Sequence, residues 1–102
     1  MATFNKYECF VENLAEKVHN LGADTLKAAL TNTAPTAASD TVWNSATTAP
    51  PPAAANGYTT GGNTLSVTSS AQTSGTYKLV ITDSVFTASG GSIGPFRYVI
   101  LY

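Results

Sequence analysis

Residues 5–31 read NKYECFVENLAEKVHNLGADTLKAALT, and the fold turns on whether the helix that opens this run carries on to its end. An advance of about 100° per residue places Phe4, Tyr7, Phe10, Val11, Leu14, Ala15, Val18 and Leu21 within an arc of roughly 140°. The polar residues Asn5, Glu12, Glu16 and His19 fall on the other side with Cys9. The pattern predicts a helix over 5–21 whose apolar stripe is buried against the rest of the chain and organises a small core. Asn5 is the expected N-cap, with Glu8 completing a capping-box variant and Thr3 as the competing cap. Gly22, able to take a positive φ, is the expected stop. Beyond it DTLKAALT changes period. Leu26, Ala28 and Leu30 alternate with Thr25, Lys27, Ala29 and Thr31, and an Asn-Thr-Ala-Pro turn follows, which favours a strand over a second helix despite the helix-forming Leu, Lys and Ala.

Working outward, residues 31–56 are dominated by Ala, Thr, Ser and Pro, and the run Pro50, Pro51, Pro52 excludes a helix interior or a central strand. A connection this long is uncommon inside a compact domain and is usually functional or ordered by a neighbour. Its large apolar residues are Val42 and Trp43. Trp43 either tucks back onto the domain or anchors the excursion on another subunit, where tryptophan is enriched. From 57 to 102 the chain reads as β: GYTTGGN as turns, TLSVTSS and TYKLVIT as strands around an AQTSG turn, SVFTA as a short strand, and FRYVILY as a final strand apolar enough to be central. The whole of 1–102 is expected to be one α+β domain, a single N-terminal helix packed on an antiparallel, sandwich-like β body.

Composition bounds the function. Of the 102 residues 43% are hydrophobic and only 11% charged, well under the ~25% charged of an average soluble domain. The formal net charge of −1 leaves no electrostatic footprint for nucleic acid or an anionic membrane, and near-neutral proteins associate readily. One cysteine, Cys9, cannot make an internal disulfide, which favours synthesis in a reducing cytosol. No stretch approaches the ~18 apolar residues of a membrane span.

Three motifs suggest chemistry, and each has a blander reading that fits better. Gly90-Gly91-Ser92-Ile93-Gly94 matches G-x-S-x-G, but that nucleophile elbow needs a strand before and a helix after the serine, and here Pro95 and a strand follow. Glu16-x-x-His19 resembles half of a bundle metal site, yet no second helix is offered to complete it; a solvated helix face fits better. Tyr58, Tyr77, Tyr98, Tyr102 and Phe96 could stack on sugars or bases, but only Lys78 and Arg97 accompany them, too few for a nucleic-acid groove. No phosphate loop and no zinc spacing appear. The residues therefore predict no catalytic, cofactor or metal site, and no membrane or nucleic-acid partner.

Taken together, FVENLAEKVHNLGADTLKAALTNTAP, NGYTTGGNTLSVTSSAQTSGTYKLVITD and SIGPFRYVILY resemble a group of small tailed-phage virion structural proteins. The pattern shared is an N-terminal helix, a D-T-x-K-x-A-L strand, here Asp24 to Leu30, and a G-Y-T-x-G-G turn, here Gly57 to Gly62. The resemblance implies a place in the phage particle, synthesis in the host bacterial cytoplasm and no enzyme activity. The expected function is a capsid decoration, cement or minor capsid protein that binds copies of itself and a larger shell protein. The alternative is a tail-associated structural or receptor- or glycan-binding module using Tyr58. Proteins of that group commonly continue past the strand ending near Tyr102, so the edge of 96–102 is expected to be covered by another subunit. The candidate contact residues are Trp43, Pro50, Pro51, Pro52, Tyr58, Phe96, Tyr98, Ile100 and Tyr102.

Overall fold

The computed structural model describes residues 3–42 and 56–102. In chain order these form helix α1 (Cys9–Ala15) and strands β1 (Leu26–Thr31), β2 (Asn63–Leu65), β3 (Val67–Thr73), β4 (Thr76–Ile81) and β5 (Tyr98–Leu101). The strands make two antiparallel sheets, one in the order β2-β1-β5 and one the hairpin β3-β4, so the architecture is α+β.

The centre of the molecule is β1, the segment whose alternation predicts a strand. It begins at Leu26 and is buried on both faces, with Lys27 alone half-exposed. Leu26, Ala28 and Leu30 lie on one face and Lys27, Ala29 and Thr31 on the other. Leu26, Ala28 and Leu65 form a core cluster on which Leu21, Val67, Leu79, Ile81 and Phe86 pack. The bases of β3 and β4 thus close one side of the sheet.

The peptide groups of β1 serve its two neighbours alternately, as antiparallel geometry requires. Lys27 and Tyr102 exchange both bonds, at 2.7 and 2.9 Å, so the peptides of 27, 29 and 31 face β5 while those of 26, 28 and 30 face β2. But β2 ends at Asn63, opposite Ala28, and the Leu30 peptide groups that face that side are left without a strand partner in the interior. The hydroxyl of Tyr58 takes that place, accepting from the Leu30 N–H at 3.2 Å and donating to the Leu30 carbonyl at 3.4 Å. Its ring packs at 5.8 Å from that of Phe86.

The strand stops there because the chain turns at Gly61 and Gly62, with φ of 95° and 76°. Gly62 presses on the backbone carbonyl of Ala28 so closely that a Cβ has no room, and the Gly61 carbonyl accepts from the Tyr102 hydroxyl at 2.8 Å. The G-Y-T-T-G-G turn is therefore a packing device: its tyrosine completes the central strand, and its glycines allow the close approach.

The helix departs from expectation. It spans seven residues, none of them buried, and its N-cap is Glu8 in helical conformation with no side-chain bond. Asn5 does not cap it. The Glu8 N–H instead donates to the Ala37 carbonyl at 2.9 Å, so the following loop closes the end. At the other terminus Lys17 takes φ 63°, the Val18 N–H reaches the Asn13 carbonyl at 2.8 Å and the Lys17 N–H the Leu14 carbonyl at 3.3 Å. This pair of bonds is a Schellman closure with lysine where glycine is usual. It ends the helix at Ala15, seven residues before Gly22, and leaves the expected stripe largely in solvent, with Phe4 83% and Val18 60% exposed.

The β half is corrected in four places. TLSVTSS is not one strand, because the chain leaves the first sheet after Leu65 and enters the second at Val67, pinned by Ser66–Thr82 bonds of 2.9 and 3.1 Å. The hairpin turn is Ser74-Gly75, both at positive φ, as a two-residue turn with the twist of its strands requires. SVFTA forms no strand, and FRYVILY contributes only β5, which lies at the edge of its sheet and not in its centre. β1 holds the central place because it is buried on both faces, whereas Tyr98, Val99 and Leu101 are exposed.

Candidate interaction surface

With β1 on one side of it, β5 offers its other side to solvent. The register Ala29 to Ile100 and Thr31 to Tyr98 continues the Lys27 to Tyr102 exchange, so the peptides of Tyr98, Ile100 and Tyr102 are spent on β1. Those of Val99 and Leu101 point outward. Their side chains are 60% and 44% exposed and share the face of Ala28 and Leu30. Two uncharged residues at i, i+2 spacing whose outward donors and acceptors bond nothing among the described residues form an open strand edge.

The expected contact residues fall into separate environments. Tyr58 is 3% exposed, committed to Leu30 and Phe86, and is not available to stack on a sugar or a partner. Ile100 is also buried. Phe96 and Tyr98 are exposed, and Tyr102 is half-buried with its hydroxyl held by Gly61. Trp43, Pro50, Pro51 and Pro52 lie outside the described residues. The expected contacts are the even-numbered positions of 96–102 and leave out Val99 and Leu101. In a run as uniformly apolar as Tyr98-Val99-Ile100-Leu101 the alternation has no visible phase. Only the register with β1 sets it.

A second uncovered surface belongs to α1 and its flanks, where Phe4, Val11, Leu14 and Val18 are all exposed. Two hollows adjoin it. One of about 490 Å³ lies between Leu14, Leu21 and the hairpin residues Ser70 and Tyr77; Ser70 and Tyr77 bond each other through their hydroxyls at 2.9 Å. The other, about 290 Å³, lies between Tyr7, Cys9 and Phe10 and the β5 residues Ile100 and Leu101. Burial, then the nearby Asp40 carboxylate and Cys9, raise the Tyr7 phenol above its ordinary value of 10.0. The lining of the second hollow is mostly apolar, and some of its polar groups are engaged. The Cys9 thiol, for example, points to the Asp40 carbonyl at 3.7 Å.

The motifs that suggested chemistry are dispersed. Ser92 sits in an irregular stretch with no strand before it and no helix after it, and its carbonyl accepts from the Asn56 side chain at 2.9 Å. His19 lies beyond the helix end, its ring 6.0 Å from that of Phe10 and its Nε2 3.4 Å from Asn13 Nδ2. The turn at Lys17 therefore separates it from the regular spacing that Glu16-x-x-His19 needs. Among the described residues no three His, Cys, Asp or Glu side chains gather where they could hold a metal ion, and no helix is long and apolar enough to cross a membrane. Comparison with protein-family models, with curated proteins and with solved structures gives no match.

Proposed function

We propose that this chain is a small structural protein of a tailed-phage particle, a capsid decoration, cement or minor capsid component that works by binding copies of itself and a larger shell protein. The observation that carries the reading is the uncovered stripe of α1. On α1 Val11 is 60% and Leu14 40% exposed, and Phe4 and Val18 on its flanks are 83% and 60% exposed; large apolar side chains left uncovered around one helix mark an interaction site. The open edge of β5 adds a second such surface. The low charge of the chain lets copies approach without repulsion. Assembly of this sort needs no reactive group, only apolar burial and strand pairing, and no catalysis belongs to the reading. The sheets are taken to pack as a sandwich, a view supported by the contact of Val67, Leu79 and Ile81 with the Leu26 cluster. Localisation to the virion is part of the same proposal.

The test is the content of purified particles together with the behaviour of the isolated protein. Mass spectrometry should find the chain in high copy number, and Phe4→Ser/Val11→Ser should reduce its incorporation while leaving the fold intact by circular dichroism. A few copies per particle would move it to the tail. Absence from particles would refute the virion role.

A further inference from the structure

We propose that β5 pairs with β5 of a second copy in one specific antiparallel register, with Val99 opposite Leu101 and the two-fold axis passing between the two Ile100 residues. This deepens the assembly reading above and rests on it for its biological setting, but not for its geometry. The outward peptide groups of the strand belong to Val99 and Leu101, and they bond nothing among the described residues. Two such residues spaced i, i+2 are self-complementary about a two-fold axis. Placing Val99 against Leu101 in both directions makes two hydrogen-bonded pairs and uses all four donors and acceptors of each copy.

A neighbouring register does worse. Centring the axis on Val99 sets Leu101 against Arg97, whose N–H is already given to the Thr31 carbonyl at 3.1 Å. In the favoured register no charge enters the pairing, since Tyr98 to Tyr102 contains none, and the exposed Val99 and Leu101 side chains meet across the strands on the face of Ala28 and Leu30. The product is a six-stranded sheet in the order β2-β1-β5-β5-β1-β2.

The other open edges are poorer choices for a second copy. β2 is three residues long, and the Asn63 side chain is tied to the Val85 carbonyl at 2.9 Å; β4 carries the charged Lys78 within its strand. β3 is Val-Thr-Ser-Ser-Ala-Gln-Thr with an irregularity between Val67 and Ser69, the kind of break that blunts an edge. β5 has no proline, bulge or charge to protect it. A strand edge of this length buries far less than the ~1,200–2,000 Å² of a stable standard interface, so the pair is a weak one, suited to an assembly in which many contacts act together.

Analytical ultracentrifugation over a range of concentrations tests the register. The wild-type protein is expected to show a reversible monomer–dimer equilibrium. V99K/L101K sets lysine against lysine and should weaken the dimer roughly tenfold or more, whereas V99K/L101E sets lysine against glutamate in both pairs and should recover most of it, in a salt-sensitive way. V99P removes an outward N–H without touching the ladder to β1 and should also weaken dimerisation. Hydrogen exchange should show the Val99 and Leu101 amides gaining protection as concentration rises. A wild-type protein monomeric at every concentration, or a dimer indifferent to V99K/L101K, overturns the proposal. Indifference to the lysines in a protein still found in particles would sink this register and leave the assembly reading intact. A register confirmed in a protein absent from particles would do the reverse.

Discussion

Replacing Tyr58 by phenylalanine removes one oxygen atom and should cost the protein a large part of its stability. The oxygen serves both peptide groups of Leu30, whose side chain is 1% exposed, at the point where β2 has run out. An orphaned buried donor or acceptor costs about 1–3 kcal/mol. The bond from the Leu30 N–H, at 3.2 Å, is the better of the two, and the 3.4 Å contact to the carbonyl is long. The expected loss is therefore about 1.5–3 kcal/mol, nearer one orphaned group than two. For a chain of this size the total is only about 5–15 kcal/mol. Urea unfolding should show the midpoint falling with no change in slope, and native-state hydrogen exchange should show the Leu30 amide losing more protection than its neighbours in β1. A loss below ~0.5 kcal/mol would refute the reasoning, because Leu30 would then have found another partner and Tyr58 would be an ordinary core aromatic.

Other substitutions probe the remaining joints. G62A must hold a positive φ of 76° and drive a methyl group into the Ala28 carbonyl, so we expect a loss above ~3 kcal/mol, seen as a collapse of the thermal transition or of soluble yield. K17G relieves the left-handed turn that ends α1 and should raise stability by about 0.5–1 kcal/mol, measured by the same urea titration; a decrease would mean that the lysine side chain does more than tolerate its backbone. L30A empties the best-buried position of the core and should cost ~2–5 kcal/mol. For pH, Tyr7 and Tyr102 both titrate above their ordinary 10.0, burial being the main cause in each. A raised phenol favours the neutral form in the folded state, so its contribution is complete below pH 10 and fades as pH climbs through the folded value. Phenolate absorbance should accordingly rise late for these two tyrosines, and Y7F should flatten the alkaline loss of stability.

The strand at Leu26–Thr31 was legible because its alternation and its flanking Asp24 and Thr residues say the same thing, and the hairpin was legible as a turn within AQTSG, although Ala71, Gln72 and Thr73 belong to β3 and only Ser74-Gly75 make the turn. The helix was legible in kind but not in length. Nothing in the composition of Glu16-Lys17-Val18 announces that a lysine adopts the conformation usually left to glycine, and the apolar period runs through the break without interruption. Its burial was misjudged for a related reason: a stripe shows that a face is suited to burial, not that this chain supplies the cover. The division of TLSVTSS between two sheets depends on Ser66 bonding Thr82, a contact between residues distant in sequence that no local pattern encodes. The role of Tyr58 was hidden likewise, since a tyrosine beside glycines reads as exposed until the end of β2 is known.

The central strand also sets the order in which the molecule can be made. Hairpin β3-β4 closes around a two-residue turn and needs nothing from elsewhere, so it can form within about 1–10 μs. β1 must wait for partners far downstream, Leu65 facing Leu26 and Leu101 facing Ala28, and each closure spends chain entropy before any ladder bond repays it. The least buried part of the fold thus assembles first and its best-buried strand last. Until that moment DTLKAALT is an exposed apolar segment with helix-forming residues and no fixed shape, and pulse-labelled exchange should find its amides the slowest in the protein to gain protection.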